Sequence, residues 1–76
     1  MNKLRNTEQL TKFGNRLRLL RTSKNLTLEQ LAFAAEVELS QIYRIEKAKI
    51  NPTYTTLLAL AAALEIPITE LMKVED

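Results

Sequence analysis

The chain has 76 residues, a net charge of +2, and neither cysteine nor histidine. This composition excludes disulfides, thiolate or imidazole metal sites and cysteine or serine–histidine nucleophiles, so we expect no metal, no cofactor and no catalysis. With 46% hydrophobic and 26% charged residues, the chain is expected to form one domain that is neither disordered nor membrane-spanning. No apolar run has the length of a signal peptide or a bilayer span, so we expect a cytoplasmic protein.

The charge is unevenly distributed along the chain. Residues 1–24 carry seven Lys and Arg and one Glu, whereas residues 25–76 carry four Lys and Arg and eight Asp and Glu. A basic first third favours a polyanionic partner such as nucleic acid, but a solvated helix face also carries such charge. The charge alone leaves both interpretations open.

Five helices are predicted in chain order. No segment alternates like a strand, and apolar periodicity predicts an N-terminal arm followed by helices: residues 1–8 for the arm, then 8–24, 28–35, 38–47, 53–65 and 68–73. In the first helix an apolar stripe, with Arg21 at its edge, is formed by Leu10, Phe13, Leu17 and Leu20. The predicted fold class is therefore all-α.

The boundaries between these helices have their own signals. Asn25 is expected to end helix 1 in a left-handed conformation, and Thr27 and Gln30 have the spacing of a capping box at the start of helix 2. Thr53 is expected to cap helix 4, and Pro67 to end it. The connections are therefore predicted to be short.

The third helix has two unlike faces. Ile42 and Ile45 have the spacing of one apolar face, and polar side chains surround them: Ser40, Gln41, Arg44 and Lys47. Two short helices joined by a tight turn, the second with one apolar and one polar edge, are typical of a helix-turn-helix. A solvated polar face has the same pattern, so the helix taken alone permits both interpretations.

Three longer stretches carry a family resemblance: FGNRLRLLR at 13–21, LTLEQLAFAAEVELSQIYRIEKAKINPT at 26–53 and LLALAAALEIPITEL at 57–71. Together they resemble the Cro and phage-repressor family, also called the xenobiotic-response-element type. The resemblance implies a compact, five-helix, lambda-repressor-like domain in which helices 2 and 3 form a helix-turn-helix. It also implies a small transcriptional regulator, repressor-like, that binds double-stranded DNA sequence-specifically.

By this resemblance, segment 38–47 is the recognition helix that lies in the major groove. The implied base-reading residues are Leu39, Ser40, Tyr43 and Arg44. Arg44 can bond guanine through a bidentate fork, Ser40 can bond several bases, and Leu39 offers only an apolar contact, for instance to a thymine methyl. This mixture of chemistry suits the reading of a base sequence.

The resemblance also implies residues that contact the DNA backbone on both sides of this helix: Thr27, Leu28, Gln41, Lys47, Lys49 and Asn51. Leu28 stands where the family often has glutamine, so one usual donor is missing and the free N–H groups of the first turn of helix 2 remain. Lys12, Arg16 and Arg18 are expected to be mainly solvated.

An ion pair and two departures from the family pattern complete the recognition region. The resemblance pairs Arg21 with Glu46, which would fix helix 3 against helix 1. Glu36 and Ala48 stand where the family commonly has glycine, and a left-handed conformation there costs about 1 kcal/mol. Glu36 and Glu38 also oppose phosphate, although Glu38 can stabilise the positive end of helix 3 or accept a bond from cytosine.

Helix 4 is apolar on two faces. From Leu57 to Leu64 it has no charged or strongly polar residue, so either helix 5 or another subunit is expected to cover the second face, which includes Ala59. Helix 5 is expected to bring Ile68, Leu71 and Met72 to the core. Since the family pairs through its C-terminal helices, we expect a homodimer on a palindromic operator, with interface residues Leu58, Ala62, Ile68 and Met72.

A different class of function remains open. The same fold can serve as a protein-interaction module, or as an antitoxin that binds both a toxin and DNA. Arg44, Lys47 and Lys49 favour DNA, whereas the two glutamates and Leu28 favour this alternative. The sequence indicates no membrane partner and no small-molecule ligand.

Overall fold

The computed structural model describes residues 6–74, and within that range it contains five α-helices and no strand. The helices are α1 (Thr7–Ser23), α2 (Leu28–Ala35), α3 (Leu39–Glu46), α4 (Tyr54–Leu64) and α5 (Ile68–Leu71). The all-α class is confirmed, and each end of α1 to α4 lies within one residue of its expected position. Of the expected N-terminal arm, residues 1–5 lie outside the described residues, and residues 7 and 8 belong to α1.

Side-chain caps explain why three of these helices begin where they do. The Asn6 side chain accepts a hydrogen bond from the backbone N–H of Gln9 at 3.1 Å, at the start of α1. Thr27 and Gln30 form the complete capping box, with bonds of 3.0 Å and 2.8 Å. Thr53 caps α4 through its hydroxyl. Each cap satisfies an N–H that the helix itself leaves unpaired.

Among the described residues, four other than glycine have left-handed backbones, and each follows a helix: Asn25 (φ 60°), Glu36 (57°), Ala48 (61°) and Glu65 (58°). Asn25 was expected there. Helix α4 ends at Leu64, one residue before its expected end, with Glu65 as its left-handed C-cap; Pro67 lies beyond that end and is the N-cap of α5. Left-handed geometry is strained for residues with a Cβ atom.

The core lies where the five helices converge. Helix α1 packs on α3 and α5, α2 packs on α3 and α4, and α4 packs on α5. The buried apolar side chains are Phe13, Leu17, Leu31, Ala32, Ala35, Ile42, Ile45, Leu60, Ala61, Leu64 and Leu71. Met72, expected in the core, is 44% exposed because α5 has already ended at Leu71. Over residues 6–74, no helix is both long and apolar enough to cross a membrane.

The single glycine of the chain lies at the contact between α1 and α3. A Cβ atom at Gly14 would lie 2.6 Å from the carbonyl oxygen of Glu46 and 2.7 Å from that of Ile45. Real Cβ atoms do not approach oxygen so closely, so only glycine fits without movement of the backbone. The backbone of α1 therefore lies directly against the last turn of α3.

Candidate nucleic-acid interface

Helix α3 divides its side chains between the core and solvent. Ile42 and Ile45, at 0% and 1% exposure, face the core. The outward face carries the four residues expected to read bases, all of them exposed: Leu39, Ser40, Tyr43 and Arg44. The structure thus brings these four together on one helix face, with hydroxyl, phenol, guanidinium and apolar chemistry side by side.

Lys47 belongs spatially to this same face. Its ammonium nitrogen lies 5.8 Å from the centre of the Tyr43 ring, which is a cation–π distance. Lys47 is also the C-cap of α3, where a positive charge is favoured by the helix dipole. The lysine expected to contact the DNA backbone therefore adjoins a residue expected to read bases.

The other residues expected at the DNA backbone flank α3 on two sides. Thr27 lies at the N-terminus of α2, where its hydroxyl oxygen accepts from Gln30 and its hydroxyl proton remains able to donate. Leu28 is half-buried against the core. Because its side chain has no hydrogen-bond donor, only its backbone N–H is suited to an anion. Lys49 and Asn51 are exposed in the connection from α3 to α4, whereas the side chain of Gln41 is half-buried.

Arg21 and Glu46 form the expected ion pair between α1 and α3. The guanidinium donates from Nε to Glu46 Oε2 at 2.7 Å and from Nη2 to Oε1 at 3.0 Å, and its Nη1 donates to the Leu26 carbonyl at 2.9 Å. The two side chains are only 11% and 6% exposed. The hydrogen bond to Glu46 raises the pKa of Arg21, burial partly opposes this, and the charge of Glu46 adds to it. Arg21 thus fixes the end of α3 to α1, and it also binds the connection between α1 and α2.

Arg16 differs from its expected solvated role. Its Nε and Nη2 donate to the backbone carbonyl of Glu70 at 3.2 Å and 2.8 Å, and Nη2 also donates to Glu70 Oε2 at 2.9 Å. The side chain is only 18% exposed, because it links α1 to α5. On the helical wheel, Arg16 lies about 40° from Leu20, beside the apolar stripe, and this position could have revealed its role.

The turn between α2 and α3 is acidic, and an exposed aromatic ring of α2 lies beside it. Glu38 is the N-cap of α3 but its side chain forms no capping hydrogen bond. Phe33, which the sequence reasoning did not single out, is 86% exposed. With Val37 and Leu39 it lines an open cleft of about 720 Å³ that also includes Glu36 and Glu38. On the helical wheel, Phe33 lies opposite the apolar face of α2, and this position could have predicted that its ring is exposed.

The second apolar face of α4 is not fully covered within residues 6–74. Leu58 is 39% exposed and Ala62 is also exposed, although α5 packs against α4. Nearby on and after α5, Ile68 is half-buried and Met72 is 44% exposed. Helix α5 therefore leaves apolar side chains of both helices accessible.

Comparison with known proteins agrees with this geometry. The family model described as helix-turn-helix matches residues 17–71. The HTH-type transcriptional repressor RghR of Bacillus subtilis (strain 168) is 44% identical over 61 residues, which are 79% of this chain and 45% of that protein. The immunity repressor protein of Bacillus phage phi105 is 36% identical over 59 residues, 78% of this chain and 41% of that protein. The chain thus spans less than half the length of these two repressors.

A restriction-modification controller protein offers a match of similar length. The crystal structure of C.AhdI from Aeromonas hydrophila superposes with a TM-score of 0.83 at 42% sequence identity, covering 84% of this chain and 97% of that one. The control protein C.MunI of Mycoplasma sp is 39% identical over 62 residues, covering 79% of this chain and 82% of that protein. From the matched residues and the five-helix architecture, this chain belongs to the helix-turn-helix family of the Cro and phage-repressor type.

Proposed function

We propose that this chain is a repressor-like transcriptional regulator of the cytoplasm that binds double-stranded DNA sequence-specifically, with α3 in the major groove. The observation that carries the proposal is the division of α3, which buries Ile42 and Ile45 and exposes a mixed polar face. An α-helix fits the major groove, and only its outward side chains reach base edges. The regulators among the relatives support the same function.

In this proposal the outward face of α3 supplies the specificity. Arg44 donates two hydrogen bonds to guanine O6 and N7, and Ser40 bonds a base near the start of the helix. Leu39 contacts an apolar base edge such as a thymine methyl. Tyr43 contributes its ring and hydroxyl beside these residues, and the nearby charge of Lys47 is directed to phosphate.

Contacts to the DNA backbone would orient α3 from two directions. On one side, the Thr27 hydroxyl and the free N–H groups that begin α2, including that of Leu28, are suited to a phosphate oxygen. On the other side, Lys49 and Asn51 follow α3, and Gln41 lies on α3 between these regions. Such contacts fix the register and supply much of the affinity, and they carry no direct sequence information.

The proposal includes a two-fold homodimer formed through the C-terminal helices. The exposed Leu58, Ala62 and Met72, with the half-buried Ile68, provide the apolar surface that a second copy would cover. A two-fold axis there would present two copies of α3 to half-sites about 34 Å apart, one turn of DNA. The expected operator is therefore palindromic.

Selection of bound duplexes from a random library tests the function directly. We expect enrichment of a palindrome whose half-sites are one helical turn apart. The same selection with Arg44→Ala should lose preference at one base position in each half-site. If the wild-type chain enriches no sequence at low salt, the proposal is wrong.

A protein partner is the second candidate, and the turn between α2 and α3 favours it. Phe33 is exposed to solvent beside an acidic, open cleft, which is an unusual place for a large apolar ring. A protein-interaction module, or an antitoxin that also binds DNA, would use such a surface. Failure of the DNA selection, with a folded and stable protein, would make the protein-interaction module the preferred function.

A further inference from the structure

Two arginines of α1 attach that helix to α3, which carries the proposed base-reading face, and to α5, which adjoins the proposed dimer interface. Arg21 binds Glu46 at the end of α3, and Arg16 binds Glu70 in α5. The two arginines are five positions apart in the sequence, which corresponds to about 7.5 Å along the helix axis. Helix α1 therefore connects the C-terminal end of α3 with α5, the helix that packs on α4.

Helix α5 depends on such outside support. It is a single turn, Ile68–Leu71, its N-cap makes no side-chain hydrogen bond, and Leu71 is its buried residue. One turn of helix has no stability of its own, so its orientation is set by what it packs against. Leu71 is buried and Ile68 packs against the same core, so apolar packing fixes the depth of α5, but such packing is non-directional and sets its orientation less sharply than hydrogen bonds do.

Arg16 supplies a directional contact to α5, and its geometry restricts rotation of that helix. Its guanidinium holds the backbone carbonyl of Glu70 and the carboxylate of the same residue at once, through bonds of 2.8 Å and 2.9 Å from Nη2. A planar fork that binds two groups in fixed directions defines an orientation as well as a distance. The Arg16 side chain is 18% exposed and that of Glu70 is 47% exposed, so water reaches the carboxylate while the guanidinium is mostly covered.

We propose that Arg16 is a positioning residue that sets which half-site spacing the dimer accepts, by fixing the orientation of α5 relative to α1 and hence to α3. This inference rests on the proposed function, because it needs both DNA binding and the dimer through α4 and α5. In each copy, two routes of packed helices join the recognition helix to the two-fold axis, one from α3 through α1 to α5 and the other from α3 through α2 to α4. Arg16 acts on the first route, at its α1–α5 step, where the helices pack less extensively than at the other steps.

A small rotation at α5 is enough to matter. The domain extends 36 × 23 × 19 Å. A lever arm of about 20 Å that tilts by about 10° displaces its end by about 3.5 Å, which matches the ~3.4 Å rise of one base pair. Loss of the Arg16 contacts should therefore allow spacings that the wild-type dimer rejects.

The experiment compares Arg16→Met with Arg18→Met. Both variants remove one positive charge from α1, but Arg18 is exposed, so the pair separates the loss of charge from the loss of the α5 contact. Each protein is titrated against a duplex with one selected half-site, and against duplexes whose two half-sites are separated by one base pair more or fewer than the optimum. Sedimentation measures the dimer in each case.

We expect equal half-site affinities for the two variants, and wild-type spacing selectivity for Arg18→Met. For Arg16→Met, the preference for the optimal spacing over its neighbours should fall by at least about tenfold, since linked binding depends on geometry. An unchanged spacing preference in Arg16→Met overturns the inference. If Arg16→Met does not fold, Arg16→Lys, which keeps one charged bond, carries the same test with the same two outcomes.

Failure of this inference is distinguishable from failure of the proposed function. A wild-type chain that selects no sequence, or stays monomeric on DNA, overturns the function itself. A wild-type dimer with a sharp spacing optimum, matched by an equally sharp optimum in Arg16→Met, overturns only the role of Arg16.

Discussion

The guanidinium of Arg21 donates hydrogen bonds to both carboxylate oxygens of Glu46, a residue 25 positions later in the chain, at 2.7 Å and 3.0 Å. Both side chains are nearly buried, so removal of one leaves the other charge without a partner and away from water.

Arg21→Ala should destabilise the protein by about 3 kcal/mol, the lower end of the range for buried pairs, because it strands the Glu46 carboxylate. Urea unfolding followed by circular dichroism measures this loss. The matched control is Arg18→Ala, an exposed arginine of the same helix, whose effect should stay within about 0.5 kcal/mol. The double change Arg21→Leu with Glu46→Leu should recover much of the loss, and an Arg21→Ala protein of wild-type stability would refute the role of the pair.

Gly14→Ala should destabilise the protein although alanine is the better helix former. The propensity gain is about 1 kcal/mol, but the new Cβ would overlap two backbone carbonyls of α3, and overpacking typically costs about 1–3 kcal/mol. Because backbone cannot move aside as a flexible side chain does, we expect a net loss in thermal unfolding. Asn15→Ala, at an exposed position of α1, is the control and should be neutral or stabilising.

Glu36→Gly should increase both stability and DNA affinity. Glycine relieves a left-handed residue by about 1 kcal/mol, and the change removes a negative charge beside the expected DNA surface. Glu38→Gly removes the same charge where φ is −58°, so it should raise affinity without a comparable gain in stability. Equal melting temperatures for Glu36→Gly and the wild type would contradict the strain.

Arg44→Ala and Lys49→Ala should weaken DNA binding in different ways. Loss of Arg44 should cost about 1–3 kcal/mol and relax preference at one base position, whereas loss of Lys49 should weaken all sequences alike and lower the salt slope by about one unit. Titrations at several salt concentrations, with the selected operator and a scrambled duplex, separate the two effects. Unchanged affinity and preference in Arg44→Ala would mean that α3 does not read bases.

Leu58→Glu should convert the dimer to a monomer. The change places a charge in the apolar surface that the second copy is proposed to cover, whereas Leu19→Glu alters a leucine that is 60% exposed on α1 and should leave assembly unchanged. Sedimentation at micromolar concentration, with and without duplex DNA, measures both. A wild-type chain that remains monomeric on DNA rules out the proposed assembly.

The features that the sequence predicted best depend on local chemistry. The capping box of Thr27 and Gln30 and the left-handed Asn25 follow from side chains within a few residues of one another. The position of Arg21 beside the apolar stripe was also readable from helical periodicity. The resemblance supplied its partner, Glu46, which no local pattern identifies.

The features that the sequence missed depend on packing between distant segments. Arg16 is held by a carbonyl 54 residues away, so its role appears only once α5 is in place. The single turn of α5 and the exposure of Met72 likewise follow from where Leu71 enters the core. Gly14 lies within the stretch 13–21 that carries the family resemblance, but the close approach of two backbones at this residue is visible only in three dimensions.

The two ends of α3 are held unequally. Gly14 and Arg21 clamp the C-terminal end, while the N-terminal end, at Glu38, has no side-chain cap. We expect such a helix to be more rigid at its C-terminal end than at its N-terminal end, where Leu39 and Ser40 lie. Amide hydrogen exchange should therefore be fast at the first turn of α3 and slow near Ile45 in the free protein. DNA binding should slow amide exchange mainly in the first turn of α3. Recognition would then include a local ordering step whose entropy opposes binding.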